Sequence, residues 1–368
     1  MDKYKTNTAF NKWFSSIKLE KLSSPIFERI FAFDKYQKKL SFFRALQIFL
    51  HAINEEKESF RDMDTAFVSK ELQKETGIDS ISYSQLSRVL PKMDSEILLA
   101  IFNQLLSQDQ KKMPVNKRNS LYLIDSSTFP LNKNLYRWAD FRKTRSGVKL
   151  HLRLCFMDNE HLYPDDFTIT NAIEHDTNQL EVLVNQPEAT YIFDRGYLDF
   201  ERMDNMHWQG YFFVTRIKKN TNVHVLETLA VSKGESIISD QMVALGAQNY
   251  LTSRFRLVTV QDQKGKNFQF ITNRFDCSST EIAEMYKSRW QIELFFKHIK
   301  QHMTIKKNFS RSKEGVINQL ILAMIASLLT YLIKLETKTR SSIFQIKRLF
   351  HYLMFQPAGK WIELLVPT

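Results

Sequence analysis

Apolar residues in the first third of the chain return at helical spacing: Phe27, Ile30 and Phe31, then Phe42, Phe43, Leu46, Ile48 and Phe49. Residues 1–115 are therefore expected to be helical, with Ser41 as N-cap of the helix that carries Leu46 and Leu50. Between Thr65 and Met93 the pattern shortens to a helix, a turn at Gly77, and a second helix over Ser82–Leu90 closed by Pro91. Tyr83, Gln85 and Arg88 stand off the apolar side of that second helix. A helix-turn-helix that enters a DNA groove has this layout. An ordinary helical hairpin has it too, and is the simpler reading. Gln108–Ser120 is polar and basic, as a linker would be.

At Leu121 the period changes. Leu121–Ile124 is a short apolar run, a buried strand that ends on Asp125. Val148–Phe156 alternates, with Val148, Leu150, Leu152, Leu154 and Phe156 on one face and Lys149, His151 and Arg153 on the other. A turn at Asp158–Glu160 leads to a return strand over Tyr163–Thr170, and Asp176–Val184 suits a helix. Thr190–Phe193 is a second apolar strand, and it too ends on an acid, Asp194. A helix over Leu198–Met206 and a strand over Tyr211–Thr215 follow. Residues 217–275 hold four short strand-like pieces (Val223–Leu226, Ser236–Ser239, Arg256–Val260 and Phe268–Thr272), with Gly234, Gly246 and Gly265 between them, so a β insertion is expected.

Ile282–Lys300 is expected as one amphipathic helix with Ile282, Met285, Ile292, Phe295, Phe296 and Ile299 on its apolar face. At roughly 100° per residue, Tyr286, Arg289, Glu293 and Lys300 fall within an arc of about 60° on a separate stripe. Val316–Ile333 is apolar nearly all round, yet barely long enough to span a bilayer and interrupted by Asn318, Gln319, Ser327 and Thr330. It is expected as a buried core helix.

Composition narrows the possibilities. The 368 residues are 43% hydrophobic and 13% aromatic, enough for one large domain or two. The net charge of +12 makes a polyanionic partner, nucleic acid or an acidic membrane, worth testing, with a basic but solvated surface the equal alternative. Residues 301–368 alone hold ten Lys and Arg against three acids. Cys155 and Cys277 form neither a metal-ligand spacing nor a disulfide framework, which fits a reducing compartment. The N-terminal stretch lacks the apolar core of a signal peptide. A soluble, cytoplasmic protein with no membrane span is the expectation.

Three acids stand out by position. Either aspartate alone is most simply a turn former or N-cap. The same strand-then-Asp pattern twice, with Glu293 in register on a helix, points instead to a shared site. Clustered carboxylates repel unless cations neutralise them, and an all-oxygen donor set suits Mg²⁺ or Mn²⁺ over Zn²⁺. Two such ions about 4 Å apart serve phosphoryl transfer. Tyr286, Arg289 and Lys300 could then hold phosphates, although Arg289 and Glu293 could also form a simple i,i+4 pair.

Tyr286-x2-Arg289-x3-Glu293-x6-Lys300 resembles the Y-R-E-K signature of the insertion-sequence-four family of bacterial DDE transposases. Leu123–Thr128 (LIDSST) resembles that family's first-aspartate strand and Tyr191–Tyr197 (YIFDRGY) its second. Gly147–His151 and Glu174–Leu180 are similar as well, over a resemblance covering roughly residues 120–335. It implies a ribonuclease-H-like α/β core interrupted by a β insertion. The division would be 1–115, a helical DNA-binding region; 116–216 and 276–335, the two parts of the core; 217–275, the insertion; and 336–368, a basic helical end. The Val316–Ile333 helix would pack on the sheet.

By the same resemblance Asp125, Asp194 and Glu293 would be the catalytic, metal-binding triad for Mg²⁺ or Mn²⁺, with two ions per site. Tyr286, Arg289 and Lys300 would contact DNA phosphates. The partners implied are double-stranded DNA, both terminal inverted repeats and target, and a second protomer in a homodimer. Family members cut by water attack and join by strand transfer. Some pass through a hairpin with a flipped base stacked on an aromatic. Trp208, Phe268 and Phe270 could offer that platform, with core packing the ordinary role for each. Lys149, His151 and His175 match family-like sequence; a sheet-edge Lys or His could face phosphate, but partly exposed strand residues are the simpler expectation. The rival functions are a nuclease that does not join DNA and a non-catalytic transposase-derived DNA binder. The intact set of three acids argues against the binder.

Overall fold

The computed structural model describes residues 7–110, 121–142, 145–158, 161–231, 236–246, 253–303 and 307–366. Gly234, most of the expected linker at Gln108–Ser120 and most of the turn at Asp158–Glu160 lie outside them. In chain order the helices α1 (Ala9–Phe14), α2 (Ser24–Asp34), α3 (Phe42–Asn54), α4 (Phe60–Ala66), α5 (Lys70–Thr76), α6 (Tyr83–Val89) and α7 (Ser95–Gln110) come first. Strands β1 (Leu121–Leu131), β2 (Asp140–Arg142), β3 (Arg145–Phe156) and β4 (Leu162–Asn171) follow. Then α8 (Asp176–Leu183), β5 (Thr190–Phe193), α9 (Phe200–Trp208) and β6 (Phe212–Arg216) alternate. Strands β7 (Val223–Thr228), β8 (Ile237–Leu245), β9 (Phe255–Gln261) and β10 (Asn267–Thr272) precede α10 (Ser279–Ser288) and α11 (Trp290–His302). The chain ends with α12 (Lys313–Thr337), α13 (Ile343–Leu353) and α14 (Ala358–Leu365).

The chain forms two compact units. The first comprises Met1–Pro114, Phe129–Ser146 and Phe296–Thr368. Its axis is α12, which packs against α1, α3, α7 and α13. Trp13 Nε1 donates to Thr330 Oγ1 at 3.2 Å, and Asn318 Nδ2 donates to the carbonyls of Leu90 and Met93 at 2.9 and 2.7 Å. α12 is thus a buried core helix as expected, and its neighbours within this unit are helices. A helix apolar on every side needs neighbours on every side, and four helices supply them.

Ser41 caps α3 by accepting from the Arg44 N–H. Gly77 closes α5 at φ 65°, a left-handed conformation that glycine adopts without strain. Ser82 and Gln85 form a capping box at the start of α6, so the Gln85 side chain turns back to its own helix while Tyr83 and Arg88 stay exposed. α7 runs on to Gln110, so Gln108–Gln110 are helical where a linker was expected.

The second unit comprises Val115–Thr128 and Gly147–Phe295. β4, β3, β1, β5 and β6 lie side by side in that order; β3 and β4 are antiparallel, and β1, β5 and β6 are parallel. This is the ribonuclease-H-like arrangement. The expected insertion strands are present, and they extend the same sheet: β10 pairs antiparallel with β6, and β9, β8 and β7 follow outward.

Two departures from expectation bear on the site. β1 does not end at Asp125 but continues to Leu131. The expected single helix over Ile282–Lys300 is two helices, α10 and α11, parted at Arg289. There the amide of Arg289 bonds to the Tyr286 carbonyl, a tightened i→i−3 turn, before α11 begins.

Candidate active site

Register assembles the first half of the site. β1 and β5 are parallel, with Leu121 opposite Thr190 and Ile124 opposite Phe193. The next residue on each strand is an acid, so Asp125 and Asp194 emerge at the same level on adjacent strands. Both strands are driven into place by apolar side chains: Leu123, Ile124, Tyr191, Ile192 and Phe193 are all fully buried.

The second half comes from α10 and α11. Ser278 and Glu281 form a capping box that fixes the start of α10. Ile282, Ile292 and Phe296 are buried and orient the pair of helices. Tyr286, expected on the polar stripe, is buried as well, its ring stacked on Phe270 at 4.6 Å. Its hydroxyl donates to Asp194 Oδ1 at 3.4 Å. Arg289 Nη2 donates to Glu293 Oε1 at 2.7 Å, and Nη1 lies 4.0 Å from Asp125 Oδ2. Asp125, Asp194, Glu293, Tyr286 and Arg289 are therefore neighbours in one cluster. The i,i+4 pair weighed in the sequence is formed. Lys300 lies two turns further along α11, its ammonium 5.1 Å from the centre of the Phe129 ring.

Burial pushes the Asp125 carboxyl up to about 6, and the nearby Asp194 and Glu293 charges add to the rise. The Ser126 amide and Arg289 act in the opposite direction. A half-buried acid that feels the charges of two others belongs to a set of oxygens that a hard divalent cation would stabilise. Among the described residues no three His, Cys, Asp or Glu side chains stand close enough to share one ion. The positive charge among these acids comes instead from the Arg289 guanidinium. The three carboxylates are the hard oxygen donors that Mg²⁺ or Mn²⁺ takes, so their donor chemistry, and not their present spacing, is what suits such an ion.

A cavity of about 510 Å³ adjoins Tyr286 and Arg289 and is lined also by Arg216, Phe268, Phe270 and Trp290. Phe268 stacks against Arg216 at 4.9 Å and Lys266 at 5.3 Å, while Phe270 packs on Tyr286. Trp208 is 69% exposed, so it is no core residue. Sequence reasoning missed Trp290, which is 56% exposed at the cavity. The signal was available: a tryptophan directly after Arg289, off the apolar face. His151 corrects another expectation. It is fully buried, because α8 covers the face of β3 taken to be open, and burial pulls its pKa down to about 4. His175 is exposed.

A ribonuclease-H-like sheet with an acid just past the last paired residue of each of two neighbouring parallel strands defines the class of fold. Within that class the chain belongs to the DDE transposase family: residues 116–329 match the family model described as the transposase DDE domain. It is 30% identical to the probable transposase of insertion sequence element IS5377 of Geobacillus stearothermophilus, over 73% of this chain and 71% of that one. A protein named as a transposase, y4zB of Sinorhizobium fredii, is 33% identical over 61% of this chain and 64% of its own. Another so named, for element IS4SA of Synechocystis, is 24% identical over 69% and 72%. A piggyBac transposase synaptic complex with hairpin DNA gives a TM-score of 0.47 at 10% identity, covering all of this chain and 84% of that one, too loose a likeness to bear on the site. Membership carries the general activity, that of a transposase enzyme acting on DNA.

Proposed function

We propose that the chain cuts the ends of its own element and joins them to target DNA at the Asp125–Asp194–Glu293 cluster. The observation that supports this most is the parallel register of β1 and β5, which brings two aspartates level, with Arg289, the partner of Glu293, 4.0 Å from Asp125. Asp125, Asp194 and Glu293 would hold two Mg²⁺ or Mn²⁺ ions, which activate the attacking oxygen and stabilise the leaving one when bound. Arg289 has a guanidinium already among the acids and would turn a donor to the phosphate flanking the scissile bond. Tyr286 keeps Asp194 oriented and faces the same phosphate group, and Lys300 would contact the backbone further along. The same acids would serve water attack and then attack by the freed 3′-OH. The cavity beside Trp290 and Phe268 suits an unstacked base at the cut end, since both rings offer a face.

The helices of residues 1–115, including α5 and α6, are the proposed reader of the terminal repeats, with two protomers holding two ends in the bacterial cytoplasm. The exposed Tyr83 and Arg88 of α6 support that reading. A strand-transfer assay tests the proposal, using Mg²⁺ and duplexes carrying the inverted repeats that flank the coding sequence. Joined products are expected. Cleavage with no joined product would favour the nuclease instead, and no turnover at all would favour a binding protein.

A further inference from the structure

Behind Asp125 stands a second polar group that the proposed reaction does not use. Ser126 is the link. Its amide donates to Asp125 Oδ1 at 2.8 Å, and its hydroxyl donates to Asp176 Oδ1 at 2.6 Å. Asp176, in the first turn of α8, also faces Lys149 Nζ at 3.2 Å and His151 Nδ1 at 3.5 Å. Lys149 is itself fixed, donating to the Glu174 carbonyl at 2.8 Å, and His151 Nε2 lies 2.9 Å from Thr170 Oγ1. Tyr197, in the turn after β5, is held beside them. Its buried hydroxyl has no hydrogen-bond partner among the described residues, and burial, then the charges of Asp125 and Asp176, push its phenol up.

The placement has a physical reason. The pairing of β1 with β5 stops at Ile124, so from Asp125 onward the chain has lost one of its ladders. Neighbouring residues on a strand point to opposite faces, so a hold on the Ser126 side chain from one face steadies the peptide whose N–H fixes Asp125 on the other. Polar groups drawn out of water are costly unless partnered, and here a half-buried lysine and a buried histidine converge on the carboxylate that holds Ser126, the neighbour of Asp125.

We propose that Asp176 is a positioning residue for Asp125, acting through Ser126, with Lys149 holding Asp176 in place. This rests on Asp125 being a metal-binding acid of the reaction. Outer partners of a ligand typically change metal affinity by about 10–100-fold.

The test uses the full chain with Mn²⁺ as probe, its binding followed by electron paramagnetic resonance and its effect by DNA cleavage. Ser126→Ala and Asp176→Asn should each weaken Mn²⁺ binding about tenfold or more and raise the half-saturating Mn²⁺ for cleavage by the same factor. Tm and DNA affinity should hold, and Asp176→Glu should restore much of the loss. Asp125→Asn is the control for the underlying reading and should abolish both signals. If Ser126→Ala and Asp176→Asn behave as wild type while Asp125→Asn is dead, the positioning role is wrong and the reading of Asp125 stands. If Asp125→Asn still binds Mn²⁺ and cleaves, that reading falls, and this role with it. A loss in Asp176→Asn that follows a lowered Tm and is absent from Ser126→Ala would make Asp176 merely structural.

Discussion

Two arginines sink into the second unit and are treated in opposite ways. Arg153 on β3 is closed off, its side chain 4% exposed. Nε donates to Asp165 Oδ2 at 2.6 Å, Nη1 to Asn185 Oδ1 at 2.6 Å and also to the Leu183 carbonyl, and the guanidinium lies over the Tyr122 ring at 4.8 Å. Arg289 is 16% exposed and less complete. It bonds Glu293, approaches Asp125 only to 4.0 Å, and its buried Nε has no partner among the described residues. A buried donor left unmet is unfavourable by about 1–3 kcal/mol. Such a donor is tolerated where a ligand can meet it. The first arginine locks a fold; the second, on the proposed reading, waits for a phosphate.

The contrast can be broken or sharpened by experiment. Glu293→Gln, which removes the charge that Arg289 pairs with, should lower cleavage by about 10³-fold or more while duplex binding survives in a gel-shift assay. Cleavage near the wild-type rate would remove Glu293 from the chemistry. Arg153→Met should lower stability by about 3–5 kcal/mol in urea titration, because Asp165 is left buried without its partner. Activity per folded molecule should persist. Arg289→Ala should do the reverse, with Tm held and cleavage down about 10²-fold. If both variants lose stability alone, the two arginines are of one kind.

A buried histidine in the first unit offers a milder comparison. Burial brings the His51 pKa from 6.5 down to about 3. Below pH 6.5 the unfolded chain therefore takes up a proton that the folded one refuses, and stability falls as pH drops toward 3. Between pH 6.5 and 5 the wild type should lose about 2 kcal/mol more than His51→Leu, measured by urea titration at each pH. The smallest effect expected is on salt dependence: Lys300→Ala should reduce the slope of log affinity for DNA against log salt by about 1. A slope unchanged there would leave Lys300 out of the backbone contacts.

The acids were legible because chemistry and period agreed. Apolar runs in Leu121–Ile124 and Thr190–Phe193 announce buried strands, and an acid straight after each is conspicuous. That the two strands are parallel and in register is a tertiary fact, and alternation along one strand does not carry it. The break at Arg289 was hidden because a one-residue tightening leaves helical spacing nearly intact on both sides. Tyr286 looked polar by its position on the stripe, yet its ring finds Phe270 and only its hydroxyl reaches the acids. His151 looked exposed for a similar reason, since alternation reports two faces and not what covers the second. The strands of the insertion were visible one by one, but not their attachment to β6.

The course of α12 carries one more consequence, in time. α1–α7 are made first, but the helix that fills their core begins at Lys313. Trp13 waits for Thr330, and the carbonyls of Leu90 and Met93 wait for Asn318. At about 5–20 residues per second, the roughly 200 residues between α7 and α12 take about 10–40 seconds to synthesise. During that interval the amino-terminal helices leave the ribosome with their apolar faces uncovered. The part of the chain proposed to read DNA therefore becomes competent only once α12 has been made, so a translation product interrupted before Lys313 would carry those helices without a finished fold.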